Sequence, residues 1–301
     1  MNAIETKQLK KSYGEVPIVK GIDLIVEQGE IFGFLGRNGA GKSTFINMLT
    51  DIIQPSSGAY TLLGVKSPND QVKKRIGVMP DYSTFYGSLT AMEHLKFLSA
   101  LSGKPVAKAR CMEVLQLVGL ESHAHKKTEK FSFGMKKKLG IAQAIVHEPE
   151  LIFLDEPTSG VDAESVIHIH KLLIQLHKSG KTIFMTSHNL DEVEKICTRI
   201  AIMKEGQIVK IGTMDELRNF YRSTITVKIK HSPVPKSEQV KLQQWLESVG
   251  TDLEMKDPYV TINVDNEKKI ADMIRAFNQC NIDIFRVEVE EPSLEEIFLD
   301  E

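Results

Sequence analysis

The chain has only three cysteines, Cys111, Cys197 and Cys280, far apart and odd in number. They form neither a disulfide framework nor a metal or redox spacing, which suits a reducing compartment. Long hydrophobic runs are missing too. No window approaches the ~18 uninterrupted apolar residues of a membrane-crossing helix, so work at a membrane would need another subunit to supply the membrane part. Residues 1–6 lack the apolar core of a signal peptide, and a cytoplasmic location is expected. Excess charge of one sign is absent as well: 38 Lys+Arg against 40 Asp+Glu give a formal net charge of −2. That removes the global signal for nucleic acid or an anionic membrane surface, and no nucleic-acid partner is expected. There is no internal repeat and no low-complexity tract. What remains is a chain of 301 residues, 42% apolar and 26% charged, with room for one large domain or two.

What the sequence does contain is Gly36-Arg37-Asn38-Gly39-Ala40-Gly41-Lys42-Ser43-Thr44. This fits the phosphate-loop pattern G-x-x-x-x-G-K-[ST] in the setting where that pattern works. Residues 31–35 read as a buried strand ahead of it, and residues 45–49 as a helix behind it. A glycine-rich turn there lets backbone N–H groups wrap a phosphate chain. Lys42 places a compact positive charge on the terminal phosphates, and the Ser43 hydroxyl can ligate Mg²⁺.

Along the chain, residues 1–66 read mainly as strands around this loop, with candidates at 19–26 and 30–35. Residues 76–79 read as a short strand, and residues 90–147 turn helical. The apolar run 151–154 suggests a central parallel strand. A helix at 164–177, a strand at 182–186 and a hairpin around Gly206 follow. Strand alternating with helix indicates an α/β core. After about residue 220 the order is βαββαβ: strand 224–230, a linker-like 231–235, helix 238–247, strands 252–255 and 259–264, helix 267–280 and strand 282–289. That order suggests a small α+β ferredoxin-like module. A last short helix is expected from Ser293, where Ser293-Leu294-Glu295-Glu296 resembles a capping box.

Asp155 ends the 151–154 strand, where a carboxylate can hold Mg²⁺ through its water shell. Glu156 beside it can polarise an attacking water, and the two point in different directions. His188 ends the next strand and can hydrogen-bond the γ-phosphate and hold the water in line with Glu156. Such a set supplies positioning and charge neutralisation, which is most of what phosphoryl transfer demands.

With these residues in order, the chain resembles the ATP-binding subunit of an ABC transporter over roughly residues 1–220. Tyr13 matches the aromatic that stacks on adenine, 36–44 the phosphate loop, and Phe131-Ser132-Phe133-Gly134-Met135 the family signature. Residues 151–156 match the Mg²⁺ strand with its catalytic acid, Ser159-Gly160-Val161-Asp162 the loop after it, and His188 the switch histidine. The resemblance implies a P-loop ATPase core at 1–220, with an antiparallel β subdomain and a helical subdomain at about 85–147. Residues 221–301 would then be an accessory module. It further implies ATP and Mg²⁺ as cofactors, with Ser132, Gly134 and the helix they open reaching the γ-phosphate bound to a second subunit. The pair would be a head-to-tail homodimer, or a heterodimer with a related ATPase subunit.

Two positions depart from the family pattern. Phe133 replaces the first of two glycines, so its side chain must point away from the phosphate. Asp81 stands where the family usually has glutamine; it can still offer oxygen to Mg²⁺ or its waters, but it is shorter and charged. The Ser-x-Gly-Met signature with its basic residues, and the ending at 291–299, resemble the ABC-2 export branch. The resemblance therefore implies an ATPase energising a separate ABC-2-type permease, peripheral on the inner face of the membrane. The alternatives are a soluble ABC-superfamily ATPase and a nucleotide-dependent regulatory subunit. Tyr82, Phe85 and Tyr86 suggest a groove wall for a membrane partner, against a self-packed loop. The basic clusters at 126–127 and 136–138 read as solvated faces, and His123 and His125 as a surface loop.

Overall fold

The computed structural model describes residues 1–81, 85–221 and 225–290. Contacts divide the chain into two compact units, Met1–Met214 and Asp215–Glu301.

The first unit carries two sheets. One is antiparallel, in the order β2 (Val16–Glu27), β1 (Asn2–Tyr13), β4 (Ser57–Leu62), β5 (Val65–Ser67). The other has the order β10 (Gln207–Thr213), β9 (Arg199–Lys204), β3 (Ile31–Leu35), β8 (Thr182–Ser187), β7 (Leu151–Leu154), β6 (Ile76–Met79). From β9 to β6 the strands are parallel, and β10 closes one edge antiparallel as a hairpin. Every residue of β3, β7 and β8 is buried, which is why β3, β7 and the middle of β8, Ile183 to Met185, run apolar without alternating. Phe32 stacks on Phe184 at 5.7 Å and Phe34 on Phe45 at 5.0 Å, tying the sheet to the helix after β3.

The helices of this unit are α1 (Lys42–Leu49), α2 (Asp70–Lys73), α3 (Ala91–Leu101), α4 (Lys108–Leu117), α5 (Phe133–Ile145), α6 (Ala163–Lys178) and α7 (Leu190–Ile196). A capping box between Thr90 and Glu93 starts α3. Helices α3, α4 and α5 pack on one another as the helical layer expected within 85–147.

Parallel strands end on one edge. The register sets Leu35 beside Ser187, Leu154 beside Met185 and Met79 beside Leu154. The segments after β3, β6, β7 and β8 therefore emerge side by side, at the edge where open α/β sheets hold their ligands.

Helix α8 (Met214–Tyr221) starts where the two units divide, earlier than residue 220. The second unit then runs β11 (Ile225–His231), α9 (Lys236–Val249), β12 (Thr251–Lys256), β13 (Tyr259–Val264), α10 (Glu267–Gln279) and β14 (Ile284–Glu290). Its sheet has the order β12-β13-β11-β14 and is antiparallel throughout. With βαββαβ connectivity this is the ferredoxin-like arrangement. Ile225, Val227 and Ile229 alternate with half-buried residues and join a core with Leu242, Leu246, Met273 and Phe277. His231, expected to open a linker, instead closes β11 and is buried; its N–H donates to the Pro258 carbonyl at 2.9 Å. Thr224, Tyr82 and the helix expected from Ser293 lie outside the described residues.

Candidate active site

The loop after β3 owes its shape to its glycines. A Cβ on Gly36 would fall 2.6 Å from the Met203 carbonyl oxygen, and Gly41 takes φ +107 as the residue before α1. No side chain caps α1, and its first turn has no acid. Its leading N–H groups are left for an anion, so Gly36, Arg37, Asn38, Gly39, Ala40, Gly41, Lys42, Ser43 and Thr44 fit a phosphate chain. Lys42 is buried at the head of α1. Its Nζ donates to the Gly36 carbonyl at 2.7 Å and to that of Arg37 at 3.4 Å, and it lies 3.2 Å from Glu156 Oε1.

Asp155 and Glu156 leave the end of β7, both buried. Burial pushes the Asp155 carboxyl up; hydrogen bonds from Thr186 and Ser43 oppose it, and the charges of Asp81 and Glu156 add to it. Thr186 Oγ1 donates to Asp155 Oδ1 at 2.5 Å and accepts the Glu156 N–H at 3.0 Å. Glu156 has φ +50, a left-handed conformation for a side-chain-bearing residue before proline. Strain of this kind costs about 1–3 kcal/mol and persists only where neighbours hold it. His188 Nδ1 lies 2.8 Å from Glu156 Oε2. Glu156 Oε1 is buried against the Lys42 ammonium at 3.2 Å and accepts no hydrogen bond. A water between this oxygen and a phosphate beside Lys42 would satisfy it, so the donor set fits a metal-bound triphosphate. Among the described residues no group of three or more His, Cys, Asp or Glu is placed to hold a metal alone. A hydroxyl, a carboxylate and phosphate oxygens together suit a hard ion such as Mg²⁺.

A second group forms around the start of α5. Ser132 caps that helix, its Oγ accepting from the Met135 N–H at 3.3 Å. Phe133 is 55% exposed and lies over Gly160, where an added Cβ would come 2.9 Å from the ring. Gly134 faces Asp162, which caps α6 by accepting the Ser165 N–H at 2.9 Å. That bond holds the Asp162 carboxyl below its usual range. Among the described residues no hydrogen bond joins Ser132 or Gly134 to the phosphate loop. Tyr13 stands apart at the end of β1, 53% exposed, with Lys11 Nζ 5.1 Å from its ring centre.

Lys137 was expected on a solvated face with Lys136 and Lys138, and this is corrected: it is 4% exposed. Its Nζ donates to Asp81 Oδ1 at 2.9 Å and to the Glu156 carbonyl at 2.7 Å. The signal was in the spacing, since Lys137, Ile141 and Ala144 recur on one helical face. Thr186 was read only as strand, because a hydroxyl in an apolar run gives no hint of what it will bridge. Phe85 and Tyr86 pack against α3: Phe85 meets His94 edge-on at 5.0 Å, Tyr86 meets Phe97 at 5.4 Å, and Tyr86 stays 55% exposed.

The ABC transporter family pattern matches residues 19–159, and the C-terminal domain of DrrA1-3-like ATP-binding proteins matches residues 212–301. The linearmycin resistance ATP-binding protein LnrL of Bacillus subtilis is 35% identical, over 98% of this chain and 97% of its own length.

The chain belongs to the ABC transporter ATP-binding protein family.

The bacitracin transport ATP-binding protein BcrA of Enterococcus faecalis is 36% identical over 98% of this chain and 94% of its own. Among solved structures, an ATP-binding subunit of an ABC transporter superposes with TM-score 0.66 at 27% identity, covering 73% of this chain and 93% of that one. A bacterial ABC transporter cassette solved as a dimer gives TM-score 0.66 at 25% identity, over 70% and 98%. The chain is thus an ATP-binding, ATP-hydrolysing ABC subunit on the fold that the resemblance implied, and it carries a DrrA-like C-terminal domain.

Proposed function

We propose that this subunit hydrolyses ATP to drive export through a separate ABC-2-type permease, with Glu156 as general base. The observation that carries the reading is the Glu156 carboxylate itself: one oxygen on His188 at 2.8 Å, the other buried and ion-paired with Lys42 at 3.2 Å. Lys42 and the open start of α1 neutralise the phosphates, and His188 orients Glu156 and the water it activates. Ser43 and Asp155 are the residues that would hold Mg²⁺, which supplies charge neutralisation at the terminal phosphates when bound. Asp81, tied to Lys137 through Oδ1, would serve the metal's water shell only from its other oxygen. Exposed Tyr13 is the platform for the adenine ring.

Ser132 and Gly134, remote from the chain's own phosphate loop in hydrogen bonding, would complete the site of a second copy or a related subunit. That the cassette noted above was solved as a dimer supports this. Among the described residues no helix is long and apolar enough to cross a membrane. In this reading the subunit sits on the inner face of the membrane through its permease, with exposed Tyr86 and Phe97 offering that partner an aromatic surface. The relatives' names, linearmycin resistance, bacitracin transport and daunorubicin/doxorubicin resistance, support a natural-product antibiotic as cargo.

The test is Glu156→Gln in the full chain. Hydrolysis should fall by about 10²–10⁴-fold while ATP still binds, and ATP-loaded dimers should accumulate on gel filtration. Phosphate release at the parent rate would remove Glu156 from its role.

A further inference from the structure

We infer that Lys137 is a positioning residue for hydrolysis: from α5 it clamps the backbone of Glu156, with Asp81 as the counter-charge that lets it be buried there. The inference rests on Glu156 being the base. Lys137 Nζ meets three oxygens from two other segments: the Glu156 carbonyl at 2.7 Å, Asp81 Oδ1 at 2.9 Å and the Asp81 carbonyl at 3.3 Å. An ammonium has three donors, and these contacts match them in number. The rest of the buried face of α5 is apolar, with Leu139, Ile141, Ala142, Ala144 and Ile145. A lysine buried on such a face, its Asp81 partner 28% exposed, is a poor source of stability compared with apolar packing, so its presence calls for another reason.

That reason is the conformation of Glu156. At φ +50 before Pro157 the residue is held where a glutamate does not rest by itself. Its N–H is fixed by Thr186 Oγ1 at 3.0 Å from β8, and its carbonyl by Lys137 from α5. The two peptide planes flanking the Cα are thereby fixed from different elements. The direction of the side chain follows from those planes, and in this one the carboxylate reaches His188 and Lys42. Removing the clamp on the carbonyl lets Glu156 relax to negative φ and carries the carboxylate off His188. The charge on Asp81, unusual for this position, is explained by the same contact: it neutralises the lysine that holds the base.

The experiment uses the full-length chain with Lys137→Met, and with Lys137→Met/Asp81→Asn so that no buried charge is left unpaired if the single variant fails to fold. Without nucleotide, amide exchange across residues 154–159 should speed up about tenfold or more while residues 31–35 keep their protection. Single-turnover hydrolysis should fall about tenfold or more with ATP affinity within about threefold of the parent. Added to Glu156→Gln, Lys137→Met should lower the residual rate no further, because the clamp acts only through that side chain. Unchanged exchange at 154–159 in the double variant, or a further rate loss on top of Glu156→Gln, overturns the inference. If Glu156→Gln alone turned over like the parent, the base assignment would fall, and the exchange result would still decide whether Lys137 clamps this backbone.

Discussion

The two units of the chain handle polar groups in opposite ways. The Met1–Met214 unit buries Lys42, Lys137, Asp155 and Glu156 together with Thr158, Thr186 and Ser187. Among the described residues of the second unit, His231 is the one buried polar side chain. Its central strands β11 and β13 alternate buried and half-buried positions, and its core is apolar. Buried charges are costly unless paired, so a fold accumulates them where chemistry needs them in fixed places. The first unit gives up stability for a site, while the second is a packing solution whose contribution lies in its surface and shape. Substitutions should therefore split: core truncations in the second unit cost stability without touching nucleotide binding, and polar substitutions in the first cost activity more than stability.

The largest effect on stability is expected from Phe277→Ala. The ring is fully buried between the helices and sheet of the second unit and lies 5.4 Å from His231. Truncation should cost about 3–5 kcal/mol, read as an early transition in urea. ATP affinity should stay within about threefold. A parallel loss of ATP binding would show that the contrast between the units is false and that the module supports the site directly.

A smaller effect, placed on the other side of the contrast, is expected from Thr186→Val. The side chain keeps its shape but loses the hydroxyl that serves both Asp155 Oδ1 and the Glu156 N–H. Leaving a buried group unsatisfied costs about 1–3 kcal/mol. Hydrolysis should fall about tenfold, more than ATP affinity does, because Asp155 and Glu156 lose a shared support. A variant that loses stability but keeps its turnover would make Thr186 an ordinary core residue.

How far the sequence carries this contrast depends on residue type. The phosphate loop, the 151–156 strand and His188 were legible because glycine, lysine and acids at fixed spacing admit few other uses, and parallel strand ends must bring them together. The ferredoxin-like order was legible from alternating strands. Lys137 was legible only in part: its spacing with Ile141 and Ala144 puts it on the buried face of α5, but a lysine between two lysines reads as solvent-facing until the Asp81 segment, distant in sequence, supplies its counter-charge. Phe133 needed the structure as well, since only the bare face of Gly160 shows where its ring can lie. Interactions between segments far apart in sequence leave no local pattern.

The smallest effect is a pH dependence confined to the first unit. His94 is buried with Nε2 3.3 Å from Gln143 Oε1, Nδ1 without a partner and the Phe85 ring against it. Burial holds its pKa below 6.5, and the same cause lowers His147, whose Nε2 lies 2.9 Å from the Ile76 carbonyl. The unfolded chain then takes up protons that the folded one refuses. Stability is full above pH ~6.5 and declines as pH falls from there through the depressed folded values, with a slope of at most ~1.4 kcal/mol per pH unit for each histidine. Asp155 acts in the opposite sense, because its carboxyl is raised and protonation relieves a buried charge. Comparing urea midpoints of the parent and His94→Gln from pH 7.5 to 5 isolates the histidine share. The variant should lose part of the acid slope while the second unit's transition keeps its own pH profile. Identical slopes in parent and variant would show that His94 takes up its proton as readily folded as unfolded, and that the first unit buries it without electrostatic cost.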